Sequence, residues 1–321
     1  MTELIATPAK LARNLLSLND LAEEDLEYLV RRGAAHAAGV KPGAPLEGAV
    51  VGVYFEKTST RTRTAFSSGA LRLGARLLTY GPGDLQTNTG ETLADTGRVL
   101  ASMLDLLVAR TTLPAESLGQ LAGHGMPVIN AMNVEEHPTQ GLADLTTLFC
   151  HFGRISGLRV LYMGEGNNSA AALALGLTRY PGAVLELRTP PGYGLAKPIA
   201  DTAAEQAARY GSSIVERHDM DVLPGGFDAV YTTRWQTTGT TKADESWRET
   251  FAPFAVHAGF WDANPHAVFL HDLPAHRGEE VTAEVLDGPM SLAFRQAQHK
   301  LHSAMAVLEW CGGADVETPA R

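Results

Sequence analysis

Cysteine is nearly absent: the 321-residue chain has two, Cys150 and Cys311. Two thiols in expected helices cannot form the disulfide framework of a small secreted domain, and their spacing matches no metal site, so the expected setting is a reducing cytoplasm. Positive charge is scarce as well, with 26 Lys and Arg against 36 Asp and Glu and a net charge of −10. No overall field draws such a chain to nucleic acid or anionic lipid, and charge alone argues against a phosphorylated partner. Long apolar runs are missing too, none reaching the roughly 18 residues of a membrane span. The opening Met1-Thr2-Glu3-Leu4-Ile5-Ala6-Thr7-Pro8 lacks the basic and then apolar pattern of an export signal. There is no short-period repeat and no low-complexity tract.

What is present is ordinary for a folded enzyme: 45% hydrophobic and 19% charged residues, with 32 Gly and 17 Pro, which excludes disorder, collagen and coiled coil. At about 150 residues per domain, the length suggests two domains. After an opening helix at Leu21–His36, the apolar runs Ala49–Phe55, Arg76–Tyr80, Leu104–Ala109 and Pro127–Ala131 read as strands with helical patterns between them. The alternation restarts after a helix beginning near His137, with strands expected at Arg159–Gly164, Ala183–Thr189, Ser213–Glu216, Asp228–Thr232 and Ala267–Leu270. The fold class expected is α/β, two domains each with a central parallel sheet flanked by helices, and a break near Gly153–Gly157. A last amphipathic helix, about Ser291–Trp310, must pack onto one of them.

In open parallel sheets ligands gather outside the carboxyl ends of the strands, so the residues just after each strand carry the functional reading. The first strand runs into Ser59-Thr60-Arg61-Thr62-Arg63 and a helix expected from Thr64 to Leu73. Hydroxyls and arginines at a helix start, where backbone N–H groups are unpaired and the dipole is positive, bind phosphate; the plainer alternative is a capped helix with a solvated basic face. Arg110 follows the third strand, and His137-Pro138-Thr139-Gln140 follows the fourth, with Pro in the first helical turn. In the second half, Gly164-Glu165-Gly166-Asn167 follows a strand. It raises a nicotinamide-dependent oxidoreductase as a competing class, weakened because Ser169 replaces the third glycine of that fingerprint.

Ser59–Arg63, His137–Gln140 and His271-Asp272-Leu273-Pro274-Ala275 together resemble, in order and spacing, the aspartate/ornithine carbamoyltransferases. The resemblance runs nearly end to end and is nearer the ornithine enzymes. It implies a carbamoyl phosphate-binding domain over residues 1–150, completed by the C-terminal helix 291–321, and an amino-acid-binding domain over 151–290. The implied assembly is a homotrimer with shared sites, and no cofactor or metal is implied. Carried over by position, Ser59, Thr60, Arg61, Thr62 and Arg110 resemble the phosphate ligands, and Thr62, Arg110 and His137 the groups that polarise the carbamoyl oxygen. Gln140 and the carbonyl of Leu273 would hold the carbamoyl NH2, Gln86 would reach into a neighbour's site, and Lys300 stands where ornithine enzymes carry arginine.

The amino-acid side departs from its relatives. Asn167 matches the ornithine enzymes, but Tyr231-Thr232-Thr233-Arg234-Trp235-Gln236-Thr237 has Thr233 where they place Asp. Thr237 starts the segment where they carry Ser-Met, and Arg234-x-Gln236 resembles the aspartate enzymes' carboxylate grip. Asp272 replaces their Cys. Reading these changes together, Asp272 supplies the carboxylate missing at Thr233, orients a cationic amine and, as a catalytic residue, accepts its proton, or else it pairs with Arg234 or His271 and only shapes the pocket. The expected reaction is carbamoyl transfer to ornithine or an ornithine-like diamino acid, giving a citrulline-like product, with arginine biosynthesis as the associated pathway. Open alternatives are another amine such as 2,3-diaminopropionate or aspartate, and a non-catalytic anion-binding relative. Aspartate fits poorly because its carboxylates would face Asp272, and because the interface-loop lysine of aspartate enzymes is Thr89 here.

Overall fold

The computed structural model describes residues 13–222, 225–236, 241–242 and 244–313, and in it the short apolar runs pair into two parallel sheets. Helix α1 (Glu23–Ala37) precedes the first sheet, made of β1 (Val50–Phe55), β2 (Arg76–Tyr80), β3 (Leu106–Arg110) and β4 (Val128–Asn130) in the order β2-β1-β3-β4. Helices α2 (Arg61–Arg72), α3 (Leu93–Ala101) and α4 (Ala115–Ala122) are its crossovers, and α5 (Pro138–Phe152) leads to the second sheet. That sheet is made of β5 (Arg159–Met163), β6 (Val184–Arg188), β7 (Ser213–Arg217), β8 (Ala229–Thr232) and β9 (Val268–His271), in the order β7-β6-β5-β8-β9. Helices α6 (Asn168–Leu177) and α7 (Lys197–Tyr210) cross within it. Short helices α8 (Trp247–Phe251) and α9 (Phe260–Ala263) separate β8 from β9, and α10 (Ala283–Leu286) and α11 (Ala293–Cys311) follow.

Inner strands such as β3 and β8 are buried along their whole length, as strands covered on both faces must be, while the edge strands β2 and β7 alternate or expose their residues. Every expected strand is present within two residues of its expected ends. Two shifts matter for the site. Arg110 is the last residue of β3 rather than the residue after it, because the ladder with β1 extends to Phe55 opposite Arg110 and the Glu56 N–H donates to the Arg110 carbonyl at 2.9 Å. Helix α2 begins at Arg61, three residues before the expected start; threonine has modest helix propensity, and the tertiary setting overrides it.

The last helix returns to the first sheet's helices, packing against α1, α2 and α5. A buried ion network fixes it: Arg32 donates to Glu309 twice, at 2.7 and 2.9 Å, and His36 Nε2 lies 3.1 Å from the same carboxylate. Trp310 Nε1 adds a hydrogen bond to Asp25 at 2.8 Å. Residues 314–321 of the expected C-terminal segment lie outside the described residues. No helix among the described residues is long and apolar enough to cross a membrane.

Candidate active site

Both sheets reverse direction at one point. In the first, the chain goes from β1 out to β2 and returns on the other side as β3; in the second, β6 and β7 lie to one side of β5, and β8 and β9 to the other. Side chains at the carboxyl ends of strands flanking such a reversal face an open crevice. The two crevices open on one cleft of ≈ 250 Å³.

The first sheet supplies the anion side. Thr60 is the N-cap of α2 and its side chain makes no capping bond, so the first-turn N–H groups stay available beside Ser59, Arg61 and Thr62. Arg110 lines the cleft from the end of β3, with one guanidinium nitrogen 3.4 Å from Ser59 Oγ. Arg61 and Arg110 each keep a buried Nε with no hydrogen-bond partner. Burial pushes Arg110 down to about 10, with Asp272 opposing and Arg61 reinforcing that shift. Arg61 is lowered for the same first reason. Two desolvated guanidiniums side by side favour an anion between them.

His137 is the N-cap of α5, with Pro138 at the first helical position. Burial first, then the charges of Lys300 and Arg110, hold its imidazole well below the usual histidine range, so it is neutral at pH 7. Its Nδ1 lies 3.2 Å from Thr139 Oγ1. Gln140 does not line the cleft; it is fully buried, donates from Nε2 to Asp144 Oδ1 at 2.6 Å, and leaves its own Oε1 without a partner. Asp144 also accepts from Gln296 of α11 at 2.6 Å and from Tyr231 of β8 at 3.0 Å. This carboxylate, raised chiefly by burial, joins α5, the last helix and the second sheet directly behind the site. The sequence reading missed it, although its place one helical turn after Gln140 was a usable signal.

The second sheet supplies the opposite wall. Asn167 caps α6, its Oδ1 accepting from the N–H groups of Ser169 and Ala170, and its Nδ2 donates to Thr233 Oγ1 at 3.1 Å. The Thr233 hydroxyl also lies 3.0 Å from Tyr162 OH, which donates to the Glu165 carbonyl. Thr233 is therefore committed to a neutral network and offers no charge. Arg234 lines the cleft, and its Nε donates to the Gln236 carbonyl at 2.6 Å. Among the described residues Gln236 does not line the cleft, and Thr237 lies outside them. Gln86 is exposed in a 3-10 turn, Gln86–Thr89, and does not line its own chain's cleft.

Asp272 is the sole acidic residue among the described residues that line the cleft. Ser169 Oγ donates to its Oδ2 at 2.9 Å. Its Oδ1 is 3.5 Å from His271 Nδ1, but that nitrogen already accepts the Leu273 N–H at 2.8 Å, while Nε2 faces Glu280 Oε1 at 3.1 Å. The proton therefore sits on Nε2, and the Asp272–His271 approach is not an ion pair. The same His271 bond holds Leu273 at φ +52°, an uncommon conformation for a branched residue. His276, Glu279 and Glu280 gather within 4.8 Å. Glu280 also accepts the His276 N–H, and Arg277 pairs with Asp287 at 2.7 Å, so this loop is tied to its own domain.

Of the glycines after β5, Gly164 has φ +109° and Gly166 serves packing. A Cβ on Gly166 would lie 2.3 Å from the Gly194 carbonyl carbon, so the second glycine admits the neighbouring backbone and need not admit a dinucleotide.

Two family models cover nearly the whole chain: "Aspartate/ornithine carbamoyltransferase, carbamoyl-P binding domain" matches residues 13–149, and "Aspartate/ornithine carbamoyltransferase, Asp/Orn binding domain" matches residues 156–311. The ornithine carbamoyltransferase of Symbiobacterium thermophilum is 38% identical over 300 residues, covering 92% of this chain and 96% of the relative. The Bacillus subtilis ornithine carbamoyltransferase is 37% identical over 300 residues, covering 92% and 93%. The solved ornithine carbamoyltransferase from Pyrococcus furiosus superposes with a TM-score of 0.88 at 36% identity, over 95% of this chain and 98% of that one.

Proposed function

The chain belongs to the aspartate/ornithine carbamoyltransferase family, and from that premise we propose that it transfers the carbamoyl group of carbamoyl phosphate to the side-chain amine of ornithine or a closely similar diamino acid, releasing a citrulline-like product and phosphate. The observation that carries this reading is one cleft with orphaned, buried arginine donors on one wall and a single carboxylate, Asp272, on the other.

We assign residues 1–150, with the C-terminal segment 291–321 that carries α11, to the carbamoyl phosphate-binding domain, and 151–290 to the amino-acid domain. Ser59, Thr60, Arg61 and Thr62 receive the phosphate with the α2 N–H groups, and Arg110 bridges phosphate and carbonyl oxygen. With the Thr139 hydroxyl donating to Nδ1 of the neutral His137, Nε2 carries the proton and donates to the carbonyl oxygen as charge develops there; one such donor is worth about 2.7 to 4 kcal/mol. The Leu273 carbonyl accepts from the carbamoyl NH2, and Gln140, although buried outside the cleft lining, keeps an unpartnered Oε1 that makes it the second acceptor. Arg234 and Asn167 take the α-carboxylate and α-amino group, and Gln236 and Thr237 are assigned by position to the same amino-acid site. Asp272, steadied by Ser169, orients the side-chain ammonium and receives its proton. Freeing an amine of pKa near 10.4 at pH 7 costs roughly 4 to 5 kcal/mol, so that acceptor is chemically useful. The chemistry uses fixed cations and donors throughout and calls for no metal or cofactor.

The trimer with Gln86 reaching into a neighbour's cleft, the cytoplasmic setting and a role in arginine biosynthesis belong to the same proposal. Two free thiols support the setting, and a Pyrococcus furiosus relative, 37% identical, is named "Ornithine carbamoyltransferase, anabolic". The test is an assay of the purified protein with carbamoyl phosphate and ornithine. Citrulline and phosphate formed in equal amounts support the reading, and phosphate release without a ureido product overturns it.

A further inference from the structure

Lys300 is a lysine where the family resemblance implies arginine, and its surroundings differ from those of Lys242 and Lys197. It projects from α11 into the cleft beside Arg110, His137 and Leu273, and it is 8% exposed. Its Nζ is in no hydrogen bond or ion pair among the described residues, although Asp272 and Asp144 act on it from a distance. Lys242, by comparison, is paired with Glu165 at 2.6 Å, and Lys197 pairs with Asp201 on the surface with its side chain 84% exposed.

We propose that Lys300 is itself a carbamoyl acceptor: when carbamoyl phosphate is bound and no amino acid fills the cleft, Lys300 Nζ attacks the carbonyl carbon and keeps the carbamoyl group. This rests on the carbamoyl phosphate reading of the cleft. A guanidinium does not deprotonate in a protein and is no nucleophile, whereas a lysine amine is one as soon as it is neutral. Burial lowers Lys300, with Arg61 and Arg110 adding to that and Asp272 and Asp144 opposing it, so more of it is free amine at neutral pH than of a surface lysine.

The step balances without any further reagent. The Nζ–C bond forms, the bond from the carbonyl carbon to the phosphate oxygen breaks, and the proton lost by Nζ leaves on hydrogen phosphate. A urea then replaces the primary amine. The cleft exchanges a cation for a larger neutral group, so an amine-starved enzyme inactivates itself, and ornithine protects it by taking the carbamoyl group first.

The experiment treats the full-length protein with carbamoyl phosphate and no amine, then maps modified lysines by mass spectrometry. Parallel samples receive potassium cyanate, or carbamoyl phosphate with excess inorganic phosphate. With carbamoyl phosphate, Lys300 should gain one HNCO at least ~10-fold faster than exposed Lys197, because the reagent is held beside it. Cyanate should shrink that ratio, inorganic phosphate should suppress the Lys300 reaction, and His137→Asn should slow it. An unmodified Lys300, or the same Lys300 to Lys197 ratio with both reagents, overturns the inference. Citrulline formation is assayed on the same preparation: citrulline with an untouched Lys300 removes this inference and leaves the carbamoyltransferase reading intact, while loss of both removes both.

Discussion

At the scale of single residues, charge placement decides which amine the cleft accepts. Asp272→Asn removes a charged acceptor while keeping size and the Ser169 bond. A hydrogen bond to a charged group is worth about 1.5 to 3 kcal/mol, so kcat/KM for ornithine should fall roughly 10- to 100-fold. Affinity for inorganic phosphate, read by calorimetry, should hold or tighten, since a negative charge beside the anion is gone. Unchanged ornithine kinetics would remove Asp272 from the amine site. Glu136, next to His137, makes a separate prediction. Burial raises its carboxyl to about 7 even though it accepts the Leu18 N–H at 2.9 Å. A raised carboxyl binds its proton more tightly folded than unfolded, so stability is full below the ordinary value of 4.5 and declines as pH rises toward 7. The loss is about 3 kcal/mol at most. Glu136→Gln should flatten the melting temperature between those pH values; an unaltered slope contradicts this. The anion half of the site was legible because Ser59 to Thr62 are contiguous and mark a helix start. The amine half was not, since Ser169 and Asp272 meet across 103 residues, and Thr233's neutral commitment depends on Tyr162 and Asn167.

At the scale of elements, the loop after β9 is held by a chain of bonds from Glu280 through His271 to the Leu273 N–H. Glu280→Ala leaves the His271 Nε2–H and the His276 N–H without their acceptor, a loss of about 1 to 3 kcal/mol. It should also lower kcat/KM for carbamoyl phosphate, because the Leu273 carbonyl loses its fixed position. Glu280→Gln keeps an acceptor oxygen and should recover most of both, as denaturant unfolding and initial rates would show; equal effects of the two variants would contradict the role. Strand order in the sequence was readable from apolar runs bounded by turns, and the ends fell within two residues of those expected. The start of α2 was misplaced for a functional reason. Thr60 and Thr62 are modest helix formers placed to present donors, so propensity pointed to a later start than the packed structure has.

At the scale of the whole molecule, the last helix and Asp144 hold the two sheets in register around the cleft. Glu309→Ala strips Arg32 and His36 of their shared buried partner, and breaking such a pair costs about 3 to 5 kcal/mol. The melting temperature should drop accordingly, and a shift within error would mean that the helix is fixed by apolar packing alone. An overall charge of −10 gave no hint of a phosphate site, because net charge describes the surface while the buried Arg110, the half-buried Arg61 and a helix start make the local field. The most direct test of the account is a panel of acceptors assayed for phosphate release from carbamoyl phosphate: ornithine, 2,4-diaminobutyrate, 2,3-diaminopropionate, lysine, putrescine and aspartate. The account predicts fastest release with ornithine or one of the shorter diamino acids, and the least with aspartate, whose carboxylates meet Asp272. Fastest release with aspartate, or none with any amine while carbamoyl phosphate still binds, would contradict it.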